Sequence, residues 1–414
     1  MRARSEAKRT AGFVRRSGFF LAAALLAVFA VGLLSCEKKG RDNPLDPEGP
    51  GGVHDLALTA SAGDCRITLS WNGVPGGHVA GYQLYRRDTT AGGAFRQLVS
   101  LGGGTTSFVD VRVKRGHQYD YLIRATDRDG EESAASSGAW ATISSSGEPC
   151  PGWVPEEFVL LNAFPPATFT MGSPSSEPGR DSDETQHQVT LTRSFYVSQY
   201  EVTQSEWESV MGWNESDFRG SSRPVERVTW YDAVSYCNKR SQAEGLTPAY
   251  TITGASYSGN HIVSATVSWN QSAAGYRLLT EAEWEYACRA GTQTAFCNGG
   301  ITNIYCDPVD PNLNQVGWYC GNAGSTTHDV GGKSPNGWGL YDIHGNVWEW
   351  CWDWYGSYGG TVTDPTGPGS GSDRVERGGS WNYVARNCRS ANRYGSTPDN
   401  RCYDLGFRLA RNVP

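Results

Sequence analysis

Eleven cysteines, seven histidines and a glycine-, arginine- and tyrosine-rich stretch at 374–408 are where this chain could do chemistry. Cysteine can act as a nucleophile, a soft-metal ligand or half of a disulfide, and spacing decides among these roles. No Cys-x-x-Cys occurs and no histidine completes a ligand pattern, which argues against zinc. His54, His78, His117, His187, His261, His328 and His344 show no helical ligand spacing. The chain also lacks a nucleophile elbow, a phosphate-binding loop and a His-Glu-x-x-His pair. Cys36 follows an apolar run at 19–34, which is itself preceded by Arg2, Arg4, Lys8, Arg9, Arg15 and Arg16. That order predicts a lipoprotein signal peptide over 1–35, with Cys36 as the lipidated first residue of the mature chain. The other ten cysteines are an even number in an exported chain and are expected mainly in disulfides. Cys65 and Cys150 flank one domain and could tie its ends.

These side chains must be positioned by 414 residues, long enough for two or three domains, with 51 Gly, 15 Trp and 20 Tyr but only 19% charged residues. Such a composition suits a loop-rich, aromatic-packed protein rather than a helical bundle. Residues 1–35 hold six basic residues against Glu6, so their loss takes the net charge from −7 to −12. A nucleic-acid partner is therefore not expected, since it needs a clustered basic footprint. Residues 36–54 read as a flexible tether holding the protein to the membrane. Large residues then alternate at Ile67-Leu69-Trp71, Tyr82-Leu84-Tyr85 and Tyr119-Tyr121-Ile123-Ala125, the pattern of half-buried strands. A second linker is expected at 147–157. Beyond it Thr203 with Glu206, Thr229 with Asp232 and Thr280 with Glu283 predict three helix starts through capping boxes. Tyr250 to Trp269 predicts a hairpin around Ser258-Gly259-Asn260. The stretch 312–345 is nearly all loop, and so long a loop needs a staple or a metal to stay ordered.

Residues 55–146, with Trp71 and Gly116-x-x-Tyr119-x-Tyr121, resemble a fibronectin type III domain, which implies a spacer or binding module. Residues 158–414 resemble the formylglycine-generating enzymes, the sulfatase-modifying factors, through FTMGS (169–173), FYVSQYEVTQSEW (195–207), EAEWEYA (281–287), NGWGLYDIHGNVWEW (336–350) and the segment 374–408. The expected fold is an all-β sandwich followed by a loop-rich α+β domain of C-type-lectin-like type. The resemblance also implies a Cys288–Cys388 disulfide. It gives Cys237 a partner near Leu409, for which Cys402 would substitute. Cys297, Cys306, Cys320 and Cys351 are left with three pairings open.

By the same resemblance, Asp342 and Glu349 with the carbonyls of Gly345 and Val347 would hold a structural calcium ion, hard oxygens on a tight loop suiting that metal. A second family calcium site is expected to be lost after Asn322-Ala323, where the chain is short. The family's oxidases carry two cysteines after Gly-Gly-Ser that bind copper and attack the substrate cysteine. Here Trp381, Asn382 and Tyr383 follow Gly378-Gly379-Ser380, so the first is absent, and copper is not expected because soft copper(I) needs thiolates. Iron-dependent relatives use three histidines and an extra helical domain, which this chain lacks.

The same segment resembles retroelement-diversified C-type-lectin-like variable proteins, whose final segment reads RGGSW, CRSANR, PDNR and GFR with variable runs between. The framework Arg and Gly residues would then form a scaffold. The runs would display Trp381, Asn382, Tyr383, Tyr394, Ser396, Tyr403 and Asp404 as a face for a protein or glycan, tyrosine with small polar neighbours being suited to adaptable contacts. The expected function is a non-catalytic, lipid-anchored binding module of the cell envelope; the alternative is an oxidase or other modifying enzyme with a rearranged site.

Overall fold

The computed structural model describes residues 56–74, 79–126, 132–133, 135–146, 150, 155, 157–161 and 166–413. Cys36, the expected signal peptide and tether, and most of the expected 147–157 linker lie outside the described residues.

Alternation dictates the first unit. Strands β1 (Thr59–Gly63), β2 (Arg66–Ser70) and β5 (Ser107–Asp110) form one antiparallel sheet. The second has the order β4 (Arg96–Gly102), β3 (Gly81–Asp88), β6 (Gln118–Thr126), β7 (Ala139–Thr142). Ile67, Leu69 and Trp71 from one sheet meet Tyr82, Leu84, Tyr119, Tyr121, Ile123 and Ala125 from the other in a single core. Tyr85 departs from expectation: it points the other way along β3, half-exposed, with its hydroxyl on Glu132. Adjacent residues on a strand face opposite sides, so Leu84 and Tyr85 cannot both enter the core. Cys65 and Cys150 are joined, stapling this unit end to end.

The second unit opens with β8 (Phe158–Leu161), β9 (Ala167–Met171), β10 (His187–Leu191) and β11 (Phe195–Glu201). Helices α1 (Gln204–Met211) and α2 (Trp230–Ala243) follow, then the hairpin β12 (Tyr250–Ser258) and β13 (His261–Trp269), β14 (Tyr276–Arg277) and α3 (Glu281–Arg289). Each helix starts at the expected threonine, and in each the threonine and the third-turn-position acid bond each other's backbone amides. The hairpin turns at Gly259-Asn260 as its sequence predicts. Past a long loop lie β15 (Gly317–Trp318), β16 (His344–Gly345), β17 (Trp348–Trp354), β18 (Val362–Thr363), β19 (Arg374–Arg377), β20 (Arg393–Ser396), β21 (Leu405–Gly406) and β22 (Arg408–Asn412). The last strand inserts between β14 and β11, in the order β14-β22-β11-β8, closing the chain on itself. Arg112 of the first unit donates to the Phe158 carbonyl of the second at 2.7 Å.

Cys306 and Cys320 are joined, a loop-stapling pair that sequence left open among three. Two expected disulfides are not formed. Cys237 is buried in the core on α2, whereas Cys402 is half-buried with its sulfur 3.5 Å from Asn400 Oδ1. Cys288 and Cys388 lie near one another as free buried thiols, Cys288 turning its sulfur to Ser390 Oγ at 3.5 Å and toward the His344 ring. The two disulfides present form only where thiols are oxidised, which indicates an extracytoplasmic chain. Among the described residues no helix is long and apolar enough to cross a membrane.

Candidate functional site

The sheet β20-β19-β17-β21 carries the segment singled out by sequence. Its approach is set by Gly379, whose φ is +74° and where a Cβ would meet Cys388 Sγ at 2.6 Å and Asn387 O at 2.9 Å. Only glycine fits so tight a left-handed turn. The backbone beyond it is fixed to the scaffold at several points. Trp381 N donates to Asn346 O, Tyr383 O accepts from Cys320 N, Pro398 O from Trp230 N, Cys402 O from Arg227 N and Asp404 O from Trp348 N, all at 2.8–3.1 Å. Backbone polar groups thus go to the framework, leaving the run side chains available.

The structure sorts those side chains into three depths. Tyr394 and Tyr403 are exposed, at 51% and 46%. Asn382, Tyr383 and Ser396 are half-buried. Trp381 and Asp404 depart from the expected surface placement: Trp381 packs between Phe218, edge-on at 5.1 Å, and Tyr403 at 5.7 Å, and Asp404 is held beneath by the Ser380 hydroxyl at 3.2 Å. Trp348 lies under the face with Tyr383 edge-on at 5.3 Å and Tyr394 tilted at 6.1 Å. Sequence missed Trp348, Phe218 and Glu376 as members of this site. Phe218 arrives from a remote loop, and Glu376 becomes conspicuous only through strand register.

Framework arginines behave as expected of a scaffold. Arg389 binds both oxygens of Glu184 and reaches Glu177 at 2.7 Å; Arg393 grips Glu281 with two nitrogens; Arg377 pairs with Glu285. Neither thiol offered by the segment is an available nucleophile. Cys388 is fully buried and burial pushes its thiol far up; Cys402 is raised by burial and by nearby Asp404. Where the oxidases carry their first cysteine stands Tyr383, a phenol that burial pushes up to about 12.

At the expected calcium loop Asp342 adopts a φ of +53°, and Gly345 is required because a Cβ there would meet Trp318 O at 2.1 Å. Asp342 Oδ1 is buried with no hydrogen-bond partner, while Oδ2 accepts from Gly331 N at 2.6 Å. Both oxygens of Glu349 are taken by Arg408, and Oε2 also accepts from Trp284 Nε1 at 2.7 Å. Glu201, unnoticed in the sequence, is a third buried carboxylate here, bonded by Asn346 Nδ2 and Val347 N. Burial, then the neighbouring acids, raise Glu201 well above the ordinary range, and burial lifts Asp342 to about 6. One arginine among three buried acids leaves Glu201 and Asp342 inclined to keep their protons, which a bound cation would displace. Of the four predicted ligands, Asp342 alone offers an unbonded side-chain oxygen. Among the described residues no group of three His, Cys, Asp or Glu is arranged to hold a metal by side chains alone.

A family model described as sulfatase-modifying factor enzyme 1-like domain matches residues 156–413. The chain belongs to this family. Its family domain is similar to formylglycine-generating enzyme of Mus musculus, 33% identical over 281 residues that cover 60% of this chain and 73% of that protein. It is also similar to the chaperone protein LppX of Paenibacillus barcinonensis, 40% identical over 215 residues covering 47% of this chain and 71% of that one. Among solved structures, Treponema denticola variable protein 1 matches at a TM-score of 0.53 and 36% identity, over 62% of this chain and 95% of that one. The sulfatase-modifying-factor-like domain thus has both enzymes and a variable protein among its relatives.

Proposed function

We propose that this protein is a non-catalytic, lipid-anchored binding module that captures a protein or glycan ligand on the face formed by residues 381–404. The observation that carries this is the division of the segment into a bonded backbone and outward tyrosines: Tyr394 and Tyr403 are exposed beside half-buried Tyr383, with no accessible thiol pair among them. Rigid aromatic side chains over a fixed backbone give contact area at little entropic cost. Similarity to a variable protein and to a protein named a chaperone supports binding in place of chemistry. The first unit, in this view a fibronectin type III-like spacer, lifts the face from a membrane to which Cys36 is attached through lipid. A calcium ion bound by Asp342 Oδ1 with the Gly345 and Val347 carbonyls would displace those protons and stiffen the loop leading into β17.

Panning a displayed random-peptide library and a glycan array on the purified protein tests the binding role. Selected ligands should lose binding to the Tyr383→Ala/Tyr394→Ala variant while its melting temperature stays near that of the parent. Ligands that bind the variant equally well would refute the face as the binding surface.

A further inference from the structure

Glu376 sits in β19 directly opposite Trp350 on β17 and Tyr394 on β20. Directly opposed residues share one side of a sheet, so the acid stands among the aromatic side chains of the binding face. It is 4% exposed, and its Oε1 has no hydrogen-bond partner. The Ser396 hydroxyl bonds the carboxyl, and the charged groups acting on it are Asp404 and Asp373, both of its own sign. Asp404, 6% exposed, is bonded by Ser380 and Asn382, and neither acid forms an ion pair among the described residues. The adjacent Arg377 faces the other side of the strand toward Glu285, and Arg374, on the same side as Glu376, is turned into the rings of Trp230 at 3.7 Å and Trp354 at 3.5 Å, with its carboxylate influence coming from Asp353. Two buried acids therefore lie under an aromatic surface without a counter-ion.

We infer that the ligand of this face presents an organic cation, the ammonium of a lysine or the guanidinium of an arginine, held by the rings of Tyr383 and Tyr394 over Trp348 with Glu376 and Asp404 as counter-charges. The inference rests on the proposed binding role of 381–404 and names the chemistry it recognises. Aromatic faces attract cations through their quadrupole, most strongly where water is excluded, and a buried carboxylate lacking a partner gains most from a cation that arrives. Arg374 shows that the same sheet already stacks a guanidinium between tryptophans. An organic cation can use both kinds of neighbour, the rings of Trp350, Tyr383 and Tyr394 as well as the acidic oxygens, whereas an inorganic cation would use the oxygens alone.

Calorimetric titration at pH 8 and low salt tests this with four small probes: the N-acetyl methylamides of lysine and arginine, and those of their neutral counterparts norleucine and citrulline. At least one cationic probe should bind about tenfold or more tighter than its neutral counterpart, the range of a desolvated cation–aromatic contact. Glu376→Gln combined with Asp404→Asn should abolish that preference while the protein remains folded by circular dichroism. Equal binding of the neutral probes, a preference that survives the double variant, a response to calcium chloride but not to the organic cations, or no response to any probe would each overturn the inference. The binding face itself stands in those cases if library-selected ligands still depend on Tyr383 and Tyr394. It falls only if they do not.

Discussion

The two sides of the sheet β20-β19-β17-β21 treat buried charge in opposite ways. On the side packed against α3, Arg377 meets Glu285, Arg393 meets Glu281, and Arg408 meets Glu349, so these three carboxylates each have a guanidinium within hydrogen-bond reach. On the other side Glu376 and Asp404 have hydroxyl and amide partners but no cation, and they sit beside Trp348, Tyr383 and Tyr394. A fold that satisfies three buried acids on one side of the sheet through framework arginines leaves these two uncompensated on the other. The paired side specifies the scaffold, and the unpaired side is where a ligand has something to add.

The largest effect should come from breaking the paired side. Arg377→Ala strands Glu285 with only Arg289 and removes a neighbour of Glu281, and should destabilise the protein by about 3–5 kcal/mol in a urea melt. A loss below about 1 kcal/mol, the range of exposed pairs, would erase the contrast between the two sides. Next in size, the Tyr383→Ala/Tyr394→Ala variant should weaken any selected ligand by about 2 kcal/mol or more, as loss of aromatic anchors does, with far less effect on stability. Calcium should raise the melting temperature, by an amount equivalent to about 2.7 kcal/mol at a hundredfold excess over its dissociation constant, and Asp342→Asn should remove that response. A chelator without effect on the parent would contradict a calcium ion at this loop.

A fourth effect is electrostatic and is read from the pH profile of a single group. Burial pushes Glu376 up to about 8 from 4.5, so between those values the folded state keeps a proton that the unfolded state has lost. Stability from this group therefore falls as pH rises from about 4.5 to 8. Glu376→Gln should flatten that part of the melting-temperature profile and make the variant the more stable form at pH 8. Arg377, already paired, has no such titration to remove, and a parallel profile for parent and Glu376→Gln would show that Glu376 is not held neutral by its surroundings.

Much of this fold is legible in the sequence because its signals are local. The threonine caps at 203, 229 and 280 each need only an acid three residues on, and all three form. The hairpin at 250–269 is announced by its own turn, and Cys65–Cys150 by its position at the ends of a domain. Contacts made across the chain are not legible in this way. Pairing of Cys306 with Cys320 depends on the path of the loop between them, and the unformed Cys237–Cys402 bond on the depth of α2 in the core. Trp381 looked like a surface residue because nothing near it reveals Phe218, more than a hundred residues earlier in the chain, covering one side. Glu376 reads as an ordinary strand residue until register places it between Trp350 and Tyr394.

In the proposed role this sulfatase-modifying-factor-like domain binds and does not oxidise. That role is tested most directly on one sample: purified protein is given one equivalent of copper(I) and a Cys-x-Pro-x-Arg peptide in air, and both retained copper and peptide mass are measured. No stoichiometric copper should remain after desalting, and the peptide cysteine should not be converted to formylglycine by the protein. Retention of one copper per chain together with catalytic turnover of the cysteine would contradict that role.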